Sequence, residues 1–511
     1  VAEGNVLNAR EMLRRHGATA AAVGLCAVHF SGFRPSSQPI LTDVRYFLYF
    51  AWRITEGAVP HLDYFENKTQ LATFVGACFH ALGELVGADP LLAIRWGYLT
   101  LAAAGGLAVF AVLRRLGRDR AVAGGLGLLA YCSFGLLGVL PAVGNIPKLL
   151  MALGGSVAAL LLYRRRWFWA GAAGALAFMD WQVGGLVGLA ALATAALYGT
   201  PRLRAVLRVV AGGAAGLAPF LIYYGANGAL VDAARQVVGS SWFRGSTMMA
   251  QGGLSHRLDR IAQVASLACP SQTWLFGFAG AGMAVVVWWL WRRRREASAR
   301  LLVPLAVYHF GVVAFSLVDF QYYGDFFLLL HSAAFFLGVS WVALHAFVES
   351  RLDGSRRALV ATVALVLACL LARPGPLRPR LELVTPMAAP GATLADQRYV
   401  AQALDDRLGE GSVAFMENAE LFFLIRRSNS LPMVYCNLPV WSYFRQTPGE
   451  PFARTCARLL LSTHADAIVP PRFLGYDFLM QSRYSVVPLA SDNGRYAVNV
   501  ALPPAEATAL P

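Results

Sequence analysis

The chain of 511 residues is 57% hydrophobic and only 14% charged, with a mean hydropathy of +0.51. These values exclude a water-soluble globule, and apolar runs of roughly 13 to 21 residues between charged connections mark a polytopic membrane protein. The formal net charge of +15 comes largely from arginines clustered beside those runs, a topology signal and anionic-lipid contact and not a nucleic-acid surface.

In chain order the expected spans cover residues 17–33, 91–111, 121–140, 149–163, 167–179, 184–197, 209–225, 274–291, 301–317, 326–344 and 358–371, about eleven in all. Arg10/Arg14/Arg15, Arg114/Arg115/Arg118/Arg120, Arg164 to Arg166, Arg202/Arg204/Arg208, Arg292 to Arg295 and Arg351/Arg356/Arg357 fall in every second connection. The positive-inside rule assigns those connections to the cytoplasm, which puts the N-terminus inside and the C-terminus outside. Residues 17–33 follow basic residues as a signal peptide would, but no convincing small-residue cleavage site comes after them, so they read as a retained first span.

The same alternation leaves 35–90, 141–148, 227–270 and about 373–511 on the outer face. Residues 1–372 then form a transmembrane catalytic domain, with 35–90 as its first outer loop, and 373–511 form an outer domain. That domain is expected to be a small α/β unit, with strands at 413–416, 432–435, 467–469, 485–488 and 496–500 between helices at 396–408, 419–427 and 451–464. Arg373-Pro-Gly-Pro-Leu-Arg-Pro-Arg380 reads as its linker. Seven cysteines show no metal-ligand spacing, and Cys436 and Cys456, which both fall in the outer domain, leave a disulfide open.

Two residue patterns point to chemistry. First, Asp43, Arg45, Arg53, Glu56, Asp63, Glu66 and Lys68 crowd into one loop of an apolar chain. Residues 44–56 have the spacing of an amphipathic helix lying on the membrane surface, with Arg45, Arg53 and Glu56 facing solvent or headgroups, Gly57-Ala-Val-Pro60 ends it, and a second amphipathic stretch covers 71–86. Asp43, Glu66 and Lys68 stand at the helix ends, where a polar face does not account for them. Second, of 44 basic residues only Lys68 and Lys148 are lysine. In a chain that uses arginine wherever a plain cation suffices, these two suit a compact ammonium acting as a point-charge contact to phosphate.

The pattern Asp43, Tyr46 to Ala51, Gly57-x-x-Pro60, Asp63-Tyr-Phe-Glu66-x-Lys68-x-x-Leu71 resembles the first outer loop of the C-type fold (GT-C) glycosyltransferases. That superfamily includes the dolichyl-phosphate-mannose protein mannosyltransferases and the bacterial aminoarabinose transferase for lipid A. By motif the resemblance covers Asp43–Leu71, and by architecture most of the chain: an apex at Asp180-Trp181-Gln182, a tyrosine-rich start to a late span at Gln321-Tyr322-Tyr323-Gly324, and an outer C-terminal domain. It implies a multi-pass protein of the bacterial cytoplasmic membrane that takes a sugar from a polyprenyl-phosphate donor at the outer face and passes it to a lipid, glycan or protein acceptor. The chain departs from the family in the turn before the fourth span, Gly144-Asn145-Ile146-Pro147-Lys148, where an acid is common, and in Lys68-Thr69-Gln70-Leu71, where proline usually follows the lysine.

The chemistry also fits the residues themselves. Transfer to a hydroxyl or amine needs a base, for which Asp43 is the candidate. It also needs cations against the departing phosphate, with Lys68 first and Arg244 or Arg257 second. Glu66 either orients Lys68 or holds a divalent metal with Asp63; two acids without a histidine make a weak metal signal, so orientation ranks first, with a divalent metal on Asp63 and Glu66 left open as the one cofactor. Arg45, Tyr46, Asp63, Asn145, Lys148, Asp180, Gln182, Tyr322 and Asp325 are substrate-binding candidates, with Asp319 and Tyr323 beside the last two. A transporter and a non-catalytic envelope assembly protein are the competing readings. A transporter should carry mid-bilayer charges and repeated halves, and neither is seen in the sequence.

Overall fold

The computed structural model describes residues 2–41, 43–239, 253–268, 273–318, 323–352, 357, 359–360, 362–363, 392–435, 444, 450–471 and 484–502. The first half is helical: α1 (Ala2–Ser31), α2 (Val44–Thr55), α3 (Leu71–Leu85), α4 (Pro90–Leu116), α5 (Ala121–Cys132), α6 (Leu136–Val143), α7 (Pro147–Tyr163), α8 (Trp167–Asp180), α9 (Gly185–Tyr198), α10 (Arg202–Ala226) and α11 (Leu230–Ala234). Then come α12 (Leu254–Ala268), α13 (Thr273–Arg293), α14 (Ala299–Val318) and α15 (Tyr323–Arg351). Five of these, α4, α10, α13, α14 and α15, are long and apolar enough to cross a membrane, and α5 with α6, bent by 59°, makes a sixth if the pair is one span. Helices α3 and α7 and the stretch Gln182–Tyr198 are apolar but shorter. The expected count of about eleven spans therefore does not follow from helix length among the described residues.

The ends of these helices have local causes. Asp89 caps α4 by accepting from the amides of Leu91 and Leu92 at 2.9 and 3.4 Å, with Pro90 in the first turn, where its missing N–H is no loss. Pro147 opens α7 in the same way. The arginine-rich ends meet one another: Arg293 donates to the Leu116 carbonyl at 3.0 Å, Arg120 pairs with Glu349, and Tyr198 reaches the Arg294 carbonyl at 3.4 Å. The ends of α4, α5, α9, α13 and α15 are thus gathered on one side of the bundle.

After α15 the described chain resumes with α16 (Leu394–Leu408), β1 (Val413–Phe415), α17 (Ala419–Ile425), α18 (Phe452–Ser462), β2 (Ala467–Val469), β3 (Ser485–Ala490) and β4 (Ala497–Leu502). The strands form one sheet in the order β1-β2-β4-β3, with β1 parallel to β2 and the other pairs antiparallel. Four of the five expected strands and all three helices occur. The exception is 432–435, where Pro432 has no N–H for a ladder: its carbonyl accepts instead from the Phe65 amide, and that of Val434 from the Glu417 amide at 2.8 Å. Cys456 is buried and free, and Cys436 lies outside the described residues.

One expectation is overturned here. The helix expected to lie on the membrane surface, α2, has every residue from Val44 to Trp52 buried. Its outer face is covered by the C-terminal elements: Phe415 of β1 packs edge-on against Tyr49 at 5.4 Å, the Asn429 amide donates to the Tyr49 hydroxyl at 2.8 Å, and Glu420 of α17 lies 3.9 Å from Arg45. Arg45, expected to face solvent or headgroups, is only 6% exposed and donates to the Tyr46 hydroxyl at 2.7 Å.

Candidate functional site

Three segments meet at the end of the bundle opposite the arginine-rich connections: the start of α2, the loop 56–70, and the paired apices before α7 and after α8. Gly144 makes the first approach feasible. It ends α6 with φ +148°, and a Cβ there would lie 2.8 Å from a methyl of Val44, so only glycine lets the turn 144–148 abut α2. Gly76 of α3 does the same for Asn145, whose amide nitrogen would lie 2.5 Å from an added Cβ. Asn145 is fully buried and donates to the Ala72 carbonyl at 3.1 Å.

Both lysines come to this place and flank one indole. The Lys68 ammonium is 5.0 Å from the Trp181 ring centroid and 5.0 Å from that of Phe47; the Lys148 ammonium is 4.3 Å from the same Trp181 ring. Two cations near one ring repel unless each has a counter-ion, and each has one. Lys148 is buried and pairs with Asp325 at 2.6 Å, joining the first turns of α7 and α15. Lys68 is 3.8 Å from Asp43, whose side chain is 52% exposed at the start of α2 and caps no amide. Lys68 and Asp43 are therefore the open pair, and Lys148 and Asp325 the closed one.

The loop carrying Lys68 is held from several directions. Glu66 is fully buried; its Oε1 accepts from the Lys68 amide at 3.1 Å and the Tyr435 hydroxyl at 2.8 Å, while its backbone amide donates to Gln236 Oε1 at 3.0 Å. Gln182 donates to the Asn67 carbonyl at 2.9 Å, Thr69 to the Phe178 carbonyl at 2.9 Å, and Gln70 to the Lys68 carbonyl at 3.1 Å. His61, at φ +69°, closes a reciprocal pair with Gln236, which donates to its carbonyl at 2.8 Å. Burial pushes the Glu66 carboxyl up to about 7, with Lys68 and the Tyr435 hydroxyl pulling the other way, and pulls the His61 imidazole down to about 4. Asp180 is buried at the end of α8, and its Oδ2 accepts from the Met151 amide of α7 at 2.8 Å.

Of the sequence candidates, Asp43, Lys68, Asn145, Lys148, Asp180, Gln182 and Asp325 gather around Trp181 and the turn 144–148. Arg45 and Tyr46 lie one step away under α17. Asp63 is turned to solvent, where it accepts from the Val59 amide at 2.6 Å, whereas Glu66 is buried. Among the described residues no group of three or more His, Cys, Asp or Glu is placed to hold a metal. Arg257 donates to the Leu317 carbonyl at 3.3 Å. Tyr322, Asp319 and Arg244 lie outside the described residues, and Tyr323 begins α15. Trp181, Phe47, Gln236 and Tyr435 were missed as contributors. Trp181 sits between two candidates at a span apex, which is a usable signal, but nothing local marks Tyr435, 369 residues from Glu66.

No protein-family model matches the chain, and no curated protein does. Solved structures do. ArnT from Cupriavidus metallidurans bound to undecaprenyl phosphate is 15% identical with a TM-score of 0.56, over 95% of this chain and 98% of that one. The same protein in its apo state gives 15% and 0.58 over 96% and 98%. The Archaeoglobus fulgidus oligosaccharyltransferase, in complex with zinc and sulfate, gives 11% and 0.53 over 93% of this chain and 72% of its own. The chain thus has the fold of these glycosyltransferases along nearly its whole length, as the resemblance at Asp43–Leu71 led us to expect.

Proposed function

We propose that the protein is a glycosyltransferase that moves a sugar from a polyprenyl-phosphate donor to an acceptor at the outer face of a bacterial cytoplasmic membrane. The observation that carries this reading is the open pair: the Lys68 ammonium beside two aromatic rings, 3.8 Å from a half-exposed carboxylate. A solved structure of the same fold is one bound to undecaprenyl phosphate, which supports a polyprenyl phosphate as a ligand of this protein.

In the proposed step an acceptor hydroxyl or amine attacks the anomeric carbon, the bond from that carbon to the phosphate oxygen breaks, and the polyprenyl phosphate leaves with the electron pair. Asp43 takes the acceptor proton. Lys68 faces the oxygens on which charge grows, in a pocket whose aromatic walls strengthen its field by excluding water. The aromatic faces also favour the ammonium itself, by about 0.5 to 2 kcal/mol per contact, so the cation stays extended toward the site when Asp43 turns to its acceptor.

The test is sugar transfer by purified protein from a panel of polyprenyl-phosphate sugars. Asp43→Asn should lower turnover by about a hundredfold or more, with expression intact. Lys68→Arg, which keeps the charge but widens the head, should still impair transfer, and Lys68→Met should cost more, about 2 to 4 kcal/mol of transition-state stabilisation. Near-normal turnover in Asp43→Asn would remove this carboxylate from the mechanism. No transfer and no lipid-phosphate binding by the wild-type protein would refute the reading.

A further inference from the structure

Lys68 stands on a loop with no helix or strand of its own, so something else must fix it. Its amide is held by Glu66 Oε1, and among the described residues Glu66 Oε2 is buried without a hydrogen-bond partner. The second group on Oε1 is the Tyr435 hydroxyl, whose one proton is shared between that oxygen and Asn67 Oδ1, each at 2.8 Å. Tyr435 is itself rigidly delivered. Asn429 folds the segment before it by accepting from the Phe415 amide at 3.0 Å and donating to the Met433 carbonyl at 2.6 Å. The Phe65 amide donates to the Pro432 carbonyl, and the Tyr435 ring packs on Tyr46 at 4.8 Å. A phenylalanine would fill the same volume, so what tyrosine adds is a buried donor aimed at this carboxylate.

We propose that Tyr435 is a positioning residue for the transfer site: delivered from the C-terminal segment, its hydroxyl holds the Glu66 carboxyl where it accepts the Lys68 amide, and so sets where the Lys68 ammonium stands. The inference rests on Lys68 facing the lipid phosphate. It makes the C-terminal segment part of the active centre, acting through a hydrogen bond on a loop that belongs to the membrane portion.

The test is a double-mutant cycle in the full-length protein, read as the dissociation constant for undecaprenyl phosphate. Tyr435→Phe should weaken binding about tenfold, about the worth of one buried hydrogen bond. In a Lys68→Met background it should change binding less than twofold, because its effect passes through Lys68. A merely structural role predicts the same factor in both backgrounds, and that result, or no effect of Tyr435→Phe, overturns the inference while leaving the proposed function in place. No undecaprenyl phosphate binding by the wild type overturns both. Should Tyr435→Phe fail to fold, Glu66→Gln replaces it in the same cycle, with the same non-additivity expected and the same additivity fatal.

Discussion

Lys68 and Lys148 show how identical side chains acquire different work from their surroundings. Lys148 is neutralised by Asp325 where both are buried, whereas Lys68 has two aromatic rings and the half-exposed Asp43 beside its ammonium. The buried pair Glu66 and His61 yields a pH prediction of opposed signs. The Glu66 carboxyl, raised from an ordinary 4.5 to about 7, keeps a proton that the unfolded chain has lost, so its contribution to stability falls as pH rises through that window. His61, lowered from 6.5 to about 4, stays neutral where the unfolded imidazole is charged, so its contribution falls as pH drops from 6.5. Between about pH 4.5 and 6.5 the two slopes oppose each other. In Glu66→Gln the His61 slope should be unmasked, and the melting temperature of the detergent-solubilised protein should drop more steeply on acidification than in the wild type. Parallel curves would mean that Glu66 is ionised throughout.

The elements matter through their ends. Helices α7 and α15 start side by side because Lys148 and Asp325 join their first turns. Breaking such a buried pair from one side strands a charge, at a cost of about 3 to 5 kcal/mol, whereas an apolar pair of similar volume removes both desolvation penalties. Lys148→Met alone should therefore be strongly destabilising, and Lys148→Met with Asp325→Leu should recover most of the loss, as measured by thermal denaturation. If the double variant were no better than the single one, the pair would be held by something other than its charge. Helix α2 teaches the converse. Its period-3.6 pattern was legible, but the pattern does not say what covers the second face, and here α17 and β1 do so where lipid headgroups were expected.

For the whole molecule, the contacts among Leu116, Arg120, Arg293 and Glu349 draw the arginine-rich connections to one end of the bundle and leave Asp43 and Lys68 at the other. By the positive-inside rule we propose that the arginine end is cytoplasmic. A reporter active only in the cytoplasm, fused after Arg380, should then be silent, and one fused after Arg295 should be active. The reverse pattern would put Asp43 on the cytoplasmic side and overturn the proposed orientation.

Composition and hydropathy alone determined that the chain is built of apolar helices, because burying backbone in lipid leaves few alternatives. The motif from Asp43 to Leu71 was sufficient to single out Asp43 and Lys68, which the fold brings to 3.8 Å, since helix ends and a scarce residue type are local signals. The short strands and helices after residue 392 were legible for the same reason, as period and turn residues are local too. What only the tertiary structure decided is partnership: that Lys148 is closed off by Asp325, that both lysines share Trp181, that Arg45 is buried, and that Tyr435 reaches Glu66. Each depends on which distant segment fills the space beside a side chain, and the free energy of that choice lies in packing and desolvation summed over contacts that no single stretch of sequence contains.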